Sequence, residues 1–296
     1  MKVMSNLYRN TSEISKEELR ALIESDLKKD LHMHTRHSDG ALTPQELIEL
    51  RASEGYELLA ITDHDVMGGS VEGANYAREK GIQYIYGIEF DSEDVFGKDL
   101  HILGYGLDIH SEPLLDKLIE VLDERNKRNE KLMNALNKRG YGITVEDVKA
   151  VNNGRYVGKP TFAQVLVNKG YAKDVQEVFA TVFREDDIRA IKKVTEKSKV
   201  IIDTIHAADG LAVMAHPMEQ RHLDESFEEF KPRLYDILDK MVAYGVDGIE
   251  CHHPSANEMQ QELLLKYTRE RGLMVTRGSD FHSPYKPRDY SRYHRP

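Results

Sequence analysis

Residues 29–34 read KDLHMH, a short apolar run that ends in two histidines at positions i and i+2. Successive side chains of a β-strand point to opposite faces, so the imidazoles of His32 and His34 leave the same face of a strand. Imidazoles that share a face can bind one metal ion. The segment therefore predicts a β-strand whose last residues supply ligands to a metal site.

The same arrangement recurs along the chain. Seven short apolar runs predict strands near residues 29–34, 57–62, 82–89, 99–105, 211–215, 246–252 and 273–279. All but one carry a histidine or a carboxylate near an end, and the candidate ligands are His32, His34, Asp39, His64, Glu89, His101, His216, Asp280 and His282. A lone histidine at a strand end is usually a hydrogen-bonded structural residue, but this many buried polar groups would each need a separate partner. A shared metal site is the better interpretation.

Helical patterns separate most of these strands. One begins at Thr43, which can cap a helix, and Pro44 suits the first helical position. Alternating strands and helices favour parallel pairing, and the carboxyl ends of parallel strands meet on one face of a barrel. The pattern predicts an α/β protein, a distorted (β/α)7 barrel with a helical insertion. An open doubly wound sheet is the alternative, but it gathers ligands only near a switch point and keeps its first and last strands apart.

The chain divides into three predicted parts. They are a helical appendage, a metal-binding barrel in two segments and a helical insertion, at residues 1–29, 30–108 with 199–296, and 109–198. In the appendage, Ser15 and Glu18 form a capping-box pattern, so a helix is expected to begin near Lys16. The insertion lacks strong strand signals and is expected between the fourth and fifth strands.

The insertion carries a basic face. Arg125, Arg128 and Asn129 have the spacing i, i+3 and i+4, so they share one face of a helix. The planar guanidinium of arginine matches phosphate oxygens, and Lys159 is a further cation in the same part of the chain. We predict that these four residues contact the substrate. A solvated charged surface is the alternative.

The motifs together resemble those of the polymerase and histidinol phosphatase (PHP) family. The similar stretches are HMH at 32–34, TDHD at 62–65, GIE at 87–89, HILG at 101–104, AHP at 215–217 and GSDFH at 278–282. Within the family the chain is most similar to the stand-alone branch of nucleotide-directed phosphoesterases, through SDGALTP at 38–44 and DFH at 280–282. Asp39 stands where the histidinol phosphatase branch often has a histidine, which makes the site harder and more anionic.

The resemblance implies a metal-dependent phosphoesterase for nucleotides, with 3′,5′-bisphosphates or short oligoribonucleotides as substrates. Six neutral histidines and three carboxylates among the candidate ligands carry a formal charge of −3. Two or three divalent ions, Mn, Fe or Zn, overcompensate this charge and attract a phosphate ester. The ions are expected to supply the attacking hydroxide, and Asp65 is expected to orient an imidazole or the water.

Two alternatives stay open from the sequence. The first is a phosphatase for histidinol phosphate or another small metabolite. The second is a catalytically silent module that only binds metal or nucleotide. Such a module should lack some ligands, and this sequence lacks none.

Composition limits the function further. The chain has 296 residues and one cysteine, Cys251, which excludes a disulfide framework within it. No apolar stretch approaches the length of a membrane span, and no signal peptide is recognisable, so a cytoplasmic protein is expected. The net charge of −10 argues against coating long duplex nucleic acid, whereas a small phosphorylated substrate stays compatible. The oligomeric state is left open.

The remaining basic and histidine residues receive different interpretations. His252 and His253 follow a strand, but neighbours on a strand point in opposite directions, so at most one can face the metals. Neither is predicted to be a ligand. Residues 286–296 are basic, and an exposed, mobile tail is expected there.

Overall fold

The computed structural model describes residues 14–93, 99–152, 156–222, 224–285 and 288–294. The chain forms two compact units. The first, Met1–Lys117 with Glu196–Pro296, contains the strands, and the second, Leu118–Thr195, is helical. Among the described helices, none combines the length and the apolar character that a membrane span requires.

The first unit is an α/β structure. Its strands are β1 (Lys29–Asp30), β2 (Leu58–Leu59), β3 (Gln83–Tyr84), β4 (Gly87–Glu93), β5 (Asp99–Tyr105), β6 (Glu196–Lys197), β7 (Leu211–Met214), β8 (Gly248–His252) and β9 (Met274–Arg277). The α-helices among the described residues of both units are α1 (Lys16–Glu24), α2 (Pro44–Ser53), α3 (Gly68–Lys80), α4 (Glu112–Lys138), α5 (Val145–Asn152), α6 (Lys159–Asn168), α7 (Val175–Ala180), α8 (Asp186–Arg189), α9 (Ser198–Ala207), α10 (Phe227–Tyr244) and α11 (Glu258–Glu270).

Backbone hydrogen bonds close the strands of the first unit into a barrel. The strand order is β1-β2-β3 in one sheet and β6-β4-β5-β7-β8-β9 in the other. Beyond β2, the Asp65 amide donates to the Glu89 carbonyl of β4 at 2.9 Å. Beyond β1, the His34 amide donates to the Phe281 carbonyl, which follows β9, also at 2.9 Å. The first and last strands are therefore neighbours, and the predicted barrel fold is confirmed.

One strand runs against the predicted direction. β5 is antiparallel to both of its neighbours, with Ile102 opposite Phe90 of β4 and opposite Met214 of β7. The prediction of parallel pairing is wrong here, because the connection between β4 and β5 is too short for a crossover helix. β5 therefore starts at the end of the barrel where the parallel strands finish. His101, the third residue of β5, lies at that end for this reason.

The opposite end of the barrel is filled by apolar side chains. Leu58, Leu211 and Met274 begin three parallel strands and are buried in one cluster. Leu19 and Ile23 of α1 belong to the same cluster and are only 2 % and 1 % exposed. The first helix thus closes the amino-terminal end of the parallel strands, and we refer to this region as the apolar end.

Two helix starts agree with the sequence pattern. At α1, the Ser15 hydroxyl accepts from the Glu18 amide at 3.2 Å and the Glu18 carboxylate accepts from the Ser15 amide at 3.0 Å, so the capping box is confirmed. At α2, the Thr43 hydroxyl accepts from the Glu46 amide at 3.2 Å, and Pro44 is the first helical residue. These bonds satisfy amides that a helix start leaves without partners.

The second unit has an apolar core of its own. Leu132 and Leu136 of α4 pack there with Phe162 and Leu166 of α6 and with Phe183. The unit is built from the later turns of α4 and from α5 to α8. The predicted bounds of an insertion, 109–198, stay a prediction.

Candidate metal centre

The parallel strands finish at the end of the barrel opposite α1. His32 and His34 follow β1 there, fully buried, with their ring centroids 5.2 Å apart. Nδ1 of His32 lies 3.0 Å from Oε1 of Glu250 on β8. A carboxylate that holds one ring nitrogen in this way orients the imidazole and leaves its other nitrogen, Nε2, to bind an ion.

Glu89 of β4 lies at the centre of the cluster and is fully buried. Both of its carboxylate oxygens face imidazoles. Oε2 lies 3.2 to 3.3 Å from ring nitrogens of His32, His34 and His64, and Oε1 lies 2.9 Å from those of His101 and His216. A carboxylate with imidazoles around both oxygens is suited to bridge two ions.

Two further predicted ligands, Asp280 and Asp39, lie beside histidines of the cluster. Oδ1 of Asp280 is 3.2 Å from Nε2 of His34 and 3.4 Å from Nδ1 of His282. Oδ1 of Asp39 is 3.2 Å from Nε2 of His282 and 3.7 Å from Nδ1 of His34. The structure therefore brings all nine predicted ligands together at one end of the barrel.

The donor atoms of this cluster fit divalent cations. Sets of three or four side chains offer ligand atoms within 4.8 Å of one another; they are His34-Asp39-His64-His282, His32-Glu89-His216, His64-Glu89-His101 and His32-His253-Asp280. Among the described residues, one ring nitrogen each of His32, His34, His64, His216 and His282 is buried without a hydrogen-bond partner, as is Oε2 of Glu89. Buried polar atoms without partners are costly. Divalent ions that take them as ligands would remove this cost.

The residues of the cluster are buried together, so the charge of each one shifts the pKa of its neighbours. Burial alone would lower the pKa of His32, but Glu89 and Glu250 raise it well above its usual range. Burial alone would raise the pKa of Glu89, but His32 and the other histidines around it hold that pKa well below its usual range. His64 differs, because burial lowers its pKa to about 4. The carboxylates are thus ionised, and divalent ions compete with protons for some of the imidazoles.

The loops that follow the strands have an unusual backbone. Asp65, His216 and Asp280 have positive φ angles of 54°, 26° and 50°. Side chains other than glycine rarely adopt this region, and such strain persists where surrounding contacts impose it, commonly at functional sites. Near Asp280, both the amide and the hydroxyl of Ser279 donate to the buried Asp30, at 2.9 and 2.6 Å. These bonds hold the last loop against the start of the first strand.

Comparison with known proteins identifies this arrangement. A sequence profile of the PHP domain matches residues 30–253. The chain belongs to the PHP family. The recognition made from the motifs is thereby confirmed.

Relatives of this PHP protein agree in their chemistry. A 5′-3′ exoribonuclease of Haemophilus influenzae is 31 % identical over 258 residues, which cover 87 % of this chain and 90 % of the relative. A 3′,5′-nucleoside bisphosphate phosphatase of Chromobacterium violaceum is 30 % identical, with 86 % and 87 % covered. A solved structure from Bifidobacterium adolescentis, assigned as a metal-dependent phosphoesterase, is 29 % identical with a TM-score of 0.75, with 90 % and 91 % covered. The PHP protein is a metal-dependent phosphoesterase, and the expectation of an enzyme that hydrolyses phosphoric esters is confirmed.

Asp65, the predicted orienting residue, lies in the loop that follows β2. Its side chain is buried at 3 % exposed, and its Oδ1 accepts from the Asp91 amide at 3.1 Å. This bond ties the loop after β2 to β4. The orientation of an imidazole or a water by Asp65 stays a prediction.

Three residues of the PHP site are absent from the predicted ligand set. Glu250 orients His32, and a carboxylate inside the apolar run GIEC was its signal. Oδ1 of Asp91 lies 3.0 Å from Nδ1 of His64, and its i+2 spacing from Glu89 on one strand was its signal. His253 lies with its ring 6.0 Å from that of His32. Strand alternation correctly limits the facing residue to one of the pair 252 and 253, but it does not say which.

The predicted substrate contacts lie in the second unit. Arg125, Arg128 and Asn129 are only 3 %, 6 % and 8 % exposed, so they do not form a solvated surface. The guanidinium of Arg125 stacks on the ring of Tyr156 at 4.2 Å. Burial lowers the pKa of Lys159, and the charge of Arg128 lowers it further.

Proposed function

We propose that this PHP enzyme hydrolyses phosphate monoesters of nucleotides, with nucleoside 3′,5′-bisphosphates or short oligoribonucleotides as substrates. The observation that carries the proposal is the convergence of nine histidine and carboxylate side chains around the buried Glu89. The named activities of the two relatives support the substrate class.

The nine clustered side chains are, in this proposal, the ligands of two or three divalent ions, Mn, Fe or Zn. Bound ions neutralise phosphate charge and activate a water for attack on phosphorus. Glu89 is suited to bridge ions, since imidazoles surround both of its oxygens. Glu250 holds His32 in the orientation that presents Nε2. Asp65 is proposed to support the site by positioning an imidazole or the water.

The cations of the second unit are proposed to bind a second charged group of the substrate. Arg128 and Lys159 have no acidic neighbour among the described residues, and Nε of Arg128 is buried without a hydrogen-bond partner there. Asn129 is held by donating to the Val157 carbonyl at 2.9 Å, and Arg125 by stacking on Tyr156. A buried guanidinium such as that of Arg128, with no carboxylate beside it among the described residues, favours a bound anion, and a phosphate provides one.

A panel of phosphate esters tests the substrate class. The purified protein, with its metal content measured, is assayed with Mn²⁺ on adenosine 3′,5′-bisphosphate, a short oligoribonucleotide, histidinol phosphate and an aryl phosphate. We expect the highest kcat/KM on the bisphosphate or the oligoribonucleotide. A clear preference for histidinol phosphate would overturn the proposal, and so would metal binding without hydrolysis of any ester.

Substitution of Arg128 tests the cationic cluster. Arg128→Ala is expected to raise KM for the bisphosphate with a loss of about 1.5–3 kcal/mol, because a charge-assisted contact is removed. An aryl phosphate, which presents only the group held by the ions, should be affected much less. Lys127→Ala is the matched control, since this neighbouring lysine is 62 % exposed and pairs with Glu124. Equal losses on both substrates, or none, would remove Arg128 from the substrate contacts.

A further inference from the structure

The C-terminal residues 288–294 are docked on the barrel. Tyr293 is only 6 % exposed, and its carbonyl accepts from Gln260 at 2.9 Å and from Arg221 at 3.2 Å. The ring of His294 lies 2.8 Å from the Pro254 carbonyl. The buried Tyr293 anchors the segment, whereas five of its seven residues are exposed, as expected for a tail. The expected mobility stays a prediction.

Two side chains of this docked segment contact a proposed metal ligand. Nη1 of Arg288 donates to Oδ2 of Asp280 at 2.5 Å, and the hydroxyl of Tyr290 donates to the same oxygen at 2.7 Å. The Tyr290 ring also meets the ring of His253 edge-on at 5.2 Å. The contacts of the segment with Asp280 are therefore specific to one oxygen.

The two oxygens of Asp280 face different partners. Oδ1 faces His34 and His282 within the metal cluster, whereas Oδ2 faces away, towards Arg288 and Tyr290. Asp280 itself is 3 % exposed, so protein groups rather than bulk water set the environment of Oδ2. Two hydrogen bonds to one oxygen, one of them from a cation, strongly restrict rotation of a carboxylate.

His253 also faces the outer oxygen. Its Nδ1 accepts from the Ser255 amide at 3.1 Å. Nε2 lies 3.7 Å from Oδ2 of Asp280. This separation is too long for a hydrogen bond, so among the described side chains Arg288 and Tyr290 are the ones that donate to Oδ2.

We propose that Arg288 and Tyr290 are positioning residues for Asp280: they hold Oδ2, so that Oδ1 alone is presented to the metal ions. The inference rests on the proposed function, in which Asp280 is a ligand. Partners that hold a ligand from outside commonly change metal affinity 10- to 100-fold. The C-terminal segment would then be a part of the metal centre, although it lies beyond the last strand of the barrel.

Metal binding of the 296-residue chain tests the proposal. The affinity and the stoichiometry for Mn²⁺ are measured by equilibrium dialysis with metal analysis, and the paramagnetic resonance spectrum of bound Mn²⁺ reports its coordination. Tyr290→Phe and Arg288→Gln are each expected to weaken Mn²⁺ binding about 10-fold and to alter the spectrum. Arg288→Lys keeps a donor cation and should recover part of the affinity.

Controls separate this inference from the proposed function. Arg292→Gln changes a cation of the same segment that stacks on Tyr293 instead of contacting Asp280, and it should leave Mn²⁺ binding unchanged. Wild-type Mn²⁺ affinity in Tyr290→Phe and Arg288→Gln, together with loss of Mn²⁺ in Asp280→Asn, would refute the positioning role alone. Full Mn²⁺ binding in Asp280→Asn would instead refute Asp280 as a ligand. Thermal denaturation of the metal-free variants confirms that each is folded.

Discussion

The two ends of the barrel are made by the same strands but differ completely in chemistry. At the apolar end, Leu58, Leu211 and Met274 pack against Leu19 and Ile23 of α1. At the metal end, histidines and carboxylates surround Glu89, and several of their buried atoms have no protein partner among the described residues. The apolar end gains stability from packing. At the metal end, buried polar atoms without partners cost free energy, and bound ions can remove that cost.

The difference shows that strand direction places the stabilising core at one end of the barrel and the clustered polar residues at the other. In parallel strands, every amino end lies on one face of the barrel and every carboxyl end on the other. β5 runs the opposite way and fits the same rule, because its cluster residue, His101, lies near its start instead of its end. Substitutions at the two ends should therefore affect different measurements.

The largest effect is expected at the metal end. Asp280→Ala should abolish turnover, because a proposed ligand that contacts His34 and His282 is removed. The protein should stay folded, since the apolar end is unchanged. Steady-state assays with Mn²⁺ and circular dichroism measure the two properties. A near-normal rate in this variant would remove Asp280 from the ligand set.

At the apolar end, a large effect on stability and none on metal binding is expected. Leu19→Ala should lower the free energy of unfolding by about 2–5 kcal/mol, because a side chain that is 2 % exposed leaves a cavity. Mn²⁺ affinity of the folded protein should not change. Urea unfolding and equilibrium dialysis provide the two readouts. A loss of Mn²⁺ affinity that matched the loss of stability would contradict the separation of the two ends.

A smaller effect is expected from the carboxylate behind His32. Glu250→Gln keeps the shape of the side chain but removes the charge that orients the imidazole, so Mn²⁺ affinity should fall about 10- to 100-fold. Titration with Mn²⁺ measures this change. His206, a partly exposed histidine that pairs with Asp247 away from the metal cluster, provides the control variant His206→Gln. If both variants bound Mn²⁺ like the wild type, Glu250 would have no orienting role.

A graded effect is expected from pH, on which metal binding should depend. Burial alone would lower the pKa of His34, but hydrogen bonds with Asp280 and Glu89 raise it to about 9 in the metal-free protein. Below this pH, an ion must displace the proton, so Mn²⁺ affinity should weaken as pH falls, by about tenfold per unit for one proton released. Dialysis at pH 6.5, 7.5 and 8.5 with about equal ionic strength checks the slope. A flat profile would show that no proton is released.

Much of this outcome follows from local sequence patterns. Alternation within a strand places His32 and His34 on one face, and the shared ends of parallel strands bring together ligands that are distant in the chain. Capping residues predict helix starts for the same local reason, as Ser15 and Thr43 show. These inferences succeed because their causes act over a few residues.

Other features depend on contacts between distant residues. The sequence shows the short connection that makes β5 antiparallel, but it leaves contacts between distant residues open. It does not reveal that Glu250 supports His32, 218 residues away, because a buried carboxylate needs no local signature. The contacts of Arg288 and Tyr290 with Asp280 are equally hidden in the basic composition of the tail.

The sequence by itself predicted the barrel class, the metal-dependent chemistry and the nine side chains that the structure brings together, because these depend on residue type and on a period of two. Only the tertiary structure decided which carboxylates contact which imidazoles. It also decided which of His252 and His253 faces the cluster, and how the C-terminal residues contact Asp280. These contacts depend on how distant parts of the chain pack together. A shift of a few ångströms decides whether a side chain can bind an ion or can only orient a ligand, and no short stretch of sequence specifies that distance.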